Sequence, residues 1–335
     1  MKYRKLGRTG IKVSVIGFGG IPIQRVSGED ACIIVDKALN LGINFFDTAR
    51  GYTDSEAKLG AALKKRRKEA VIATKSLSRT KEGMAADIQK SLETLRTDFI
   101  DIYQMHNVKD EITLEQVLSE NGALAALIEA KNDGLIGHIG ITGHIKSHLL
   151  EAIKTEEIET VQFPFNAVET TGVKVLLNET ERTGAGVIIM KPLAGGVLKN
   201  AGLALRYILG YPVSTVIPGM DFLEQVEENA SAGNNPYSLS ADEMRILEEE
   251  AAKLGAVFCR RCEYCLPCHQ GIDIPSIFLL DGYFTRYDLP GWAKERYRGL
   301  PVKADSCLEC GECEEKCPYS LPIRKMLKNA AARMA

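Results

Sequence analysis

The stretch INFFDTARGYTDSEAKLGAALKKRRKEAVIATK, Ile43 to Lys75, holds one complete unit of the fold. It opens on a short apolar run, Ile43 to Asp47, and closes on a second, Ala70 to Lys75, both of strand length. Between them, Ser55 to Lys68 carries apolar residues at spacings of three and four, the period of an amphipathic helix. Outward from this unit the alternation continues in both directions. Further strand candidates are Val15 to Phe18, Phe99 to His106, Gly137 to Thr142, Thr160 to Pro164, Gly186 to Met190 and Ser214 to Ile217. Helical patterns fall at Asp30 to Leu41, Met84 to Leu95, Leu114 to Asp133 and Val173 to Thr183. Eight strands, each followed by a helix, within about 235 residues favour a (β/α)8 TIM barrel over a doubly wound α/β sheet. Ahead of it, Tyr3 to Leu6 and Lys12 to Val15 around Gly7-Arg8-Thr9-Gly10 read as a hairpin able to plug the barrel's lower end.

One motif misleads. Gly17-Phe18-Gly19-Gly20 follows a strand, but the third glycine of a dinucleotide-binding G-x-G-x-x-G would fall on Pro22 and no helix pattern opens there. It reads instead as the loop after the first barrel strand.

Charge and cysteine content bound the rest. Lys plus Arg total 42 and Asp plus Glu 44 in 335 residues, a net charge of -2. That gives no electrostatic case for a nucleic-acid or anionic-membrane partner. MKYRKLGRTGIKVS lacks the apolar core of a secretion signal and no run approaches a membrane span, so a cytoplasmic location is expected. Of nine cysteines, all but Cys32 lie between Cys259 and Cys317. Such segregation, without a secretion signal, points to a metal-binding module rather than a disulfide scaffold. The expected domains are the barrel over 1–235, a connecting segment over 236–256 with a helix at Ala241 to Leu254, and a mainly helical cysteine domain over 257–335.

In a barrel of this kind the chemistry comes from the carboxyl ends of the strands. Asp47, Lys75 and His106 end the second, third and fourth, and Tyr52 follows in the loop after Asp47. Singly, each has an ordinary explanation: a helix cap, a surface lysine, a packed tyrosine, a core histidine. Together they suit proton-coupled hydride chemistry. A tyrosine can protonate a developing alkoxide if a nearby ammonium lowers its pKa, a carboxylate keeps that ammonium charged, and a histidine can orient the substrate oxygen.

Asp47-Thr48-Ala49-Arg50-Gly51-Tyr52, followed by Ser55-Glu56 and Leu59-Gly60, resembles the first signature of the aldo-keto reductase superfamily over about residues 1 to 235. The resemblance implies Tyr52 as general acid/base, Lys75 and Asp47 as its tuners, and His106 as the residue that orients a carbonyl or alcohol substrate. It also implies an NAD(P)(H) site. Gly20 would be among the cofactor contacts, Thr142, Gln162 and Met190 would lie at the nicotinamide end, and Lys191, Leu193 and Gly195 of Lys191-Pro192-Leu193-Ala194-Gly195-Gly196 at the pyrophosphate. Gly219, Gln225, Glu228 and Asn229 would lie at the adenosine end. Three departures stand out. Thr142-Gly143 replaces the family's usual Ser-Asn, so one carboxamide contact is missing unless His144 replaces it; Met190 stands where an aromatic usually stacks; Gly219 and Gln225 stand where many members place cations for a 2'-phosphate.

Cys307-x2-Cys310-x2-Cys313-x3-Cys317-Pro318 resembles the run of bacterial ferredoxins. The earlier run, Cys259-x2-Cys262-x2-Cys265-x2-Cys268-His269, is one residue shorter before its last cysteine. The resemblance implies two [4Fe-4S] clusters with crossed ligation: Cys259, Cys262, Cys265 and Cys317 for one; Cys307, Cys310, Cys313 and Cys268 for the other. The long gap between the runs predicts an inserted helix near Ser276 to Tyr283. Zinc is the rival occupant, since four thiolates also suit it. Cys32, on an apolar helix face, reads as core.

Two functions of different class fit these residues. One is an NAD(P)H-linked oxidoreductase of carbonyls and alcohols carrying, or coupled to, the clusters. The other is an electron-transfer or assembly component whose barrel docks a flavoprotein or other redox partner and whose hydride chemistry is vestigial.

Overall fold

A computed structural model describes residues 1–335 except 197, 236–237, 255–256, 261–264, 286–288 and 318, together with the side chains of 253–254. The chain forms two compact units, Met1–Glu248 and Glu249–Ala335. The division falls within the helix Ala241–Leu254.

In the first unit the hairpin comes first: β1 (Tyr3–Lys5) pairs antiparallel with β2 (Lys12–Ser14). The eight barrel strands are β3 (Phe18–Gly19), β4 (Phe45–Asp47), β5 (Val71–Ser76), β6 (Ile100–Met105), β7 (Ile136–Thr142), β8 (Ile158–Pro164), β9 (Gly186–Met190) and β10 (Thr215–Val216), each parallel to the next. Parallel bridges Ile16 to Val216 and Gly19 to Gly219 join the last strand to the first, so the sheet closes. This is the expected (β/α)8 barrel.

Side-chain alternation along the strands builds two cores. Phe45, Val71, Ala73, Ile102, Ile188 and Ile217 face the barrel interior, where Leu6 and Val13 of the hairpin join them. Phe46, Ile72, Tyr103, Ile139, Val161 and Ile189 face the surrounding helices. Leu6 and Val13 are fully buried beneath the strand starts, so the hairpin is the floor. Gly7 keeps the turn close to the barrel: at φ 52° a Cβ would lie 2.3 Å from the Gly184 carbonyl oxygen. Replacing Leu6 with alanine would cost roughly 2–5 kcal/mol.

The helices are α1 (Gly28–Asn40), α2 (Ser55–Leu63), α3 (Lys81–Leu95), α4 (Glu111–Leu118), α5 (Ala123–Asn132), α6 (Lys146–Ala152), α7 (Val173–Thr183), α8 (Ala201–Leu209), α9 (Leu223–Asn234) and α10 (Ala241–Leu254). Two depart from the sequence reading. The pattern Leu114 to Asp133 is two helices, because Ser119 turns extended and a Cβ on Gly122 would sit 2.3 Å from the Gln116 carbonyl oxygen. The helix expected to reach Lys68 ends at Leu63, and Arg66 turns away to hold Asp36 and Glu69, both at 2.7 Å.

The second unit is helical, with α11 (Ile274–Thr285) covering the expected insertion, then α12 (Pro290–Arg298), α13 (Glu312–Glu315) and α14 (Ile323–Met334). Ile274, Ile277, Phe278, Leu280, Tyr297, Leu327 and Met334 form its core, against which Cys259, Cys268, Cys307, Cys313 and Cys317 pack half-buried. Arg333 clasps Asp281 with two bonds of 2.7 Å, tying α14 to α11. Among the described residues no helix is long and apolar enough to cross a membrane.

Candidate functional site

The alternation that turns Phe45, Val71 and Ile102 into the barrel brings the polar residue two or four places later to its mouth. Asp47 follows Phe45, Lys75 follows Val71 and Ala73, and Gln104 and His106 follow Ile102. In register, Lys75 stands beside Gln104, and Thr142 beside Gln162.

Lys75, 1% exposed, places its ammonium 2.6 and 2.7 Å from the two oxygens of Asp47 and 2.7 Å from the Thr48 carbonyl. Burial works against its charge, but Asp47 and a hydrogen bond to Tyr52 outweigh it and hold the Lys75 pKa above its usual value. Burial raises the Asp47 carboxyl above the usual range, opposed by Lys75 and by hydrogen bonds from Gln162 and Gln104. The Lys75 ammonium lies 5.0 Å from the centre of the Tyr52 ring, and that ring meets His106 edge-on at 5.9 Å. His106 is held well below its ordinary pKa by burial, then by the fields of Lys75, Arg79 and Lys191. It is a neutral imidazole at neutral pH. The structure thus brings all four expected catalytic side chains together.

Three further residues support them. Gln104, fully buried, donates from its side-chain amide to Gln162 Oε1 at 3.0 Å and hydrogen-bonds Asp47. Its signal was present in the sequence, two residues before His106 on the same strand face. Glu56, 2% exposed, accepts from Arg50 and, at 2.7 Å, from Thr74, so it ties the loop before Tyr52 to the strand carrying Lys75. Arg50 also approaches Asp87, which accepts from Ser76 and from Ser78 at 2.6 Å.

The expected cofactor residues divide by what already engages them. Lys191 (φ 54°), Ala194 (φ 50°), Gly195 (φ 74°) and Gly196 (φ 84°) give a tightly turned segment at the end of β9, with Leu193 half-buried in it and Asn166 bonded to the Lys191 carbonyl at 3.0 Å. Lys191 lies 3.5 Å from His144, nitrogen to nitrogen. Met190 is half-buried beside the interior core. The Thr142 hydroxyl accepts from the Asn107 amide at 2.8 Å, and the Gln162 amide is shared with Gln104 and Asp47. Gly20 packs on the Asp47 carbonyl, where a Cβ would come within 2.6 Å, and Gly219 packs on Pro22 at the same separation. Gln225 accepts from the Asp221 amide at 2.8 Å, Asn229 is buried and Glu228 is exposed. At this end the structure adds Arg25, paired with Asp221 at 2.8 Å.

In the second unit, Cys268, Cys307, Cys310 and Cys313 share the walls of one cavity of about 130 Å³, with Cys265, Ile274 and Leu327. Five cysteines from both runs thus line it: the four that the ferredoxin resemblance assigned to one cluster, and Cys265, which it assigned to the other. The donor chemistry and the apolar lining fit a cluster of iron and sulfide. Burial, with Glu314, Cys307 and Cys310 nearby, pushes the Cys313 thiol up to about 11. Of the other set, Cys259 and Cys317 are half-buried on the same apolar core as Cys265, which is buried; Cys262 and the motif's Pro318 lie outside the described residues. Cys32 is half-buried on α1.

Residues 15–203 match the family model of the aldo/keto reductase family, and residues 258–322 that of a 4Fe-4S dicluster domain. Among curated proteins the chain is similar to L-galactose dehydrogenase of Arabidopsis thaliana, 33% identical over 75% of this chain and 94% of that protein. It is also similar to the uncharacterized oxidoreductase YqkF of Bacillus subtilis, 27% identical over 74% of this chain and 96% of that protein. Among solved structures, aldo-keto reductase AKR11C1 from Bacillus halodurans in its holo form superposes with a TM-score of 0.63. It is 27% identical over 76% of this chain and 96% of that chain.

Proposed function

This chain belongs to the aldo/keto reductase family and carries a 4Fe-4S dicluster domain, and on that premise we propose that its barrel interconverts a carbonyl and an alcohol with NAD(P)(H). The observation that carries this reading is the buried Asp47–Lys75 pair hydrogen-bonded to Tyr52 at the barrel mouth. A bound nicotinamide supplies the hydride to the carbonyl carbon. Tyr52 gives the carbonyl oxygen its proton, and the phenolate left behind is stabilised by the Lys75 ammonium until solvent reprotonates it. Neutral His106, unable to compete as an acid, donates one N–H to the substrate oxygen and fixes its position. In the oxidising direction each proton runs back.

Lys191 and the turned segment through Gly196 are the proposed pyrophosphate cradle. Among the described residues, one cation near the adenosine end is Arg25, already held by Asp221. A 2'-phosphate would have to displace that carboxylate, so NADH is expected to bind at least as tightly as NADPH. The likeness to L-galactose dehydrogenase makes polyhydroxylated alcohols and aldehydes the first substrates to assay.

The electron-transfer reading draws support from the occupied Thr142 hydroxyl and Gln162 amide, which leave fewer contacts for a nicotinamide. One experiment separates the two readings. A nicotinamide gives up two electrons as hydride whereas a cubane accepts one, and a flavin is the usual intermediary. Anaerobic stopped-flow with NADH and flavin-free protein is expected to show carbonyl reduction without rapid bleaching of the clusters. Rapid bleaching with no carbonyl turnover would favour the electron-transfer reading.

A further inference from the structure

Arg79 lies in the loop that follows β5 at the barrel mouth, four residues beyond Lys75. Its backbone is pinned: the Ala123 amide donates to its carbonyl at 3.1 Å, and Thr80 makes an antiparallel bridge to Gly122, just ahead of α5. Its half-buried side chain reaches the next loop, where Nη2 donates to the Asn107 carbonyl at 2.9 Å. Asn107, directly after His106, is equally fixed, for it stands at φ 53° and its amide donates to the Thr142 hydroxyl at 2.8 Å. The guanidinium is thereby held against the loop that carries His106.

What this guanidinium lacks is an anion. Nη1 is shielded from solvent and has no hydrogen-bond partner among the described residues, and the same holds for two atoms of the facing loop, His106 Nδ1 and Asn107 Oδ1. Besides burial, three cations act on His106: Lys75, Arg79 and Lys191. Lys75 is bonded to Asp47, and Lys191 belongs to the proposed pyrophosphate cradle. Arg79 forms no ion pair among the described residues. Burial works against its charge and the field of Asp110 favours it, but that carboxylate accepts from the Thr113 amide at 2.7 Å as the cap of α4. A guanidinium stays charged in proteins, and leaving one of its buried N–H groups without an acceptor is costly. Holding the Asn107 carbonyl needs one N–H and no charge, a task within reach of a neutral amide side chain.

We propose that Arg79 is a substrate-recognition residue that binds a carboxylate carried by the carbonyl substrate, so that the preferred substrates are aldehyde or keto acids rather than neutral carbonyls. The inference deepens the carbonyl-oxidoreductase reading and rests on it. A carboxylate is the acceptor that matches a guanidinium fork, and its bonds are charge-assisted. With the fork fixed on the loops beside His106, the acid group at one end of the substrate decides which end presents its carbonyl to His106 and Tyr52.

The test compares succinate semialdehyde and D-glucuronate, each with the corresponding methyl ester, which removes the charge and little else, in NADH-driven reduction by the anaerobically prepared full chain. The unaltered protein should favour the acid over its ester at least tenfold in kcat/KM, chiefly through KM. Arg79→Met should lower that acid-to-ester ratio at least tenfold, and Arg79→Lys, which keeps the charge without the fork, should restore part of it. If Arg79→Met does not fold, the unaltered protein still decides: succinate should inhibit reduction of the ester competitively with the aldehyde, and dimethyl succinate at the same concentration should not. The proposal is overturned if the unaltered protein shows no preference for either acid, if acid and ester fall together in Arg79→Met with their ratio kept, or if succinate inhibits no better than its dimethyl ester. Failure of the unaltered protein to reduce any of the four probes with NADH or NADPH would sink the carbonyl-oxidoreductase reading itself, and this inference with it.

Discussion

Lys75 and Arg260 are the two buried cationic side chains of Lys or Arg type among the described residues, one in each unit. The barrel answers its buried ammonium from within: Asp47 on the neighbouring strand supplies both oxygens, and Gln104 and Gln162 bond the same carboxylate. In the cysteine unit the polar groups that matter are cysteines lining the walls of a cavity, and the guanidinium of Arg260 lies over the rings of Phe258 and Tyr319. The barrel's site is assembled by strand register and by the loop that Glu56 ties down, whereas the cysteine unit's site has the form of a mould for a group the chain cannot make. The two units should therefore fail under different insults.

The largest effect expected is loss of the second unit on iron removal. Where ligands are brought together only by the metal they bind, the binding free energy is folding free energy. Anaerobic chelation should leave residues 1–248 resistant to limited proteolysis while 249–335 is rapidly cut. Intact protein should carry about eight irons per chain, and Cys310→Ser roughly half of them. Equal protease resistance with and without iron would show that the helical core of Phe278, Tyr297 and Leu327 suffices by itself, and the contrast between the units would collapse.

Next in size is Tyr52→Phe, which removes the proton donor but keeps the ring against His106. Carbonyl reduction should fall by at least about a hundredfold, with cofactor binding nearly unchanged. Because this site needs no cluster to assemble, the fall should be the same in iron-free protein. Retained turnover in the variant would remove Tyr52 from its role.

The contrast also explains what the sequence made legible. Seven of the eight strands fall where short, β-branched or apolar runs bounded by turn residues announce them, and Asp47, Lys75 and His106 stand out as polar ends of such runs; the first, read over Val15 to Phe18, is β3 at Phe18–Gly19, inside the stretch read as the loop after it. The split between α4 and α5 was hidden because Gly122 sits inside an otherwise continuous apolar pattern, and only the approach of the Gln116 carbonyl shows that the chain must turn there. Glu56 was quoted as part of a signature, but its grip on Arg50 and Thr74 joins residues brought together by strand register. Arg25 and Asp221 lie at opposite ends of the barrel sequence, and the closure of β10 on β3 makes them neighbours. The cysteine spacing announced a metal module at once, whereas the placing of Phe258 and Tyr319 over Arg260 depends on a meeting of two segments that no local pattern records.

The smallest effect expected concerns the barrel's lower end, where Glu159, near the start of β8, accepts from Lys131 at 2.6 Å and pairs with His138 at 2.7 Å. Burial pushes its pKa up, but the bonds from His138 and Lys131 prevail and bring it to about 2. A carboxylate depressed in the folded state contributes stability that is complete above its unfolded value, near 4.5, and is lost as pH falls toward 2. With Lys131 partly in solvent, that contribution is on the order of 2 kcal/mol. Urea unfolding followed by far-UV circular dichroism should find Glu159→Gln less stable by about that amount at pH 7. The gap should close as the pH is lowered from 4.5 toward 2, because the unaltered protein loses what the variant never had. Since Glu159 lies at the end of the barrel away from Tyr52, carbonyl reduction at neutral pH should be unaffected. A stability gap that stays constant down to the lowest pH would mean that the glutamate acts by shape, not charge, and that acid does not break the barrel through its paired carboxylates.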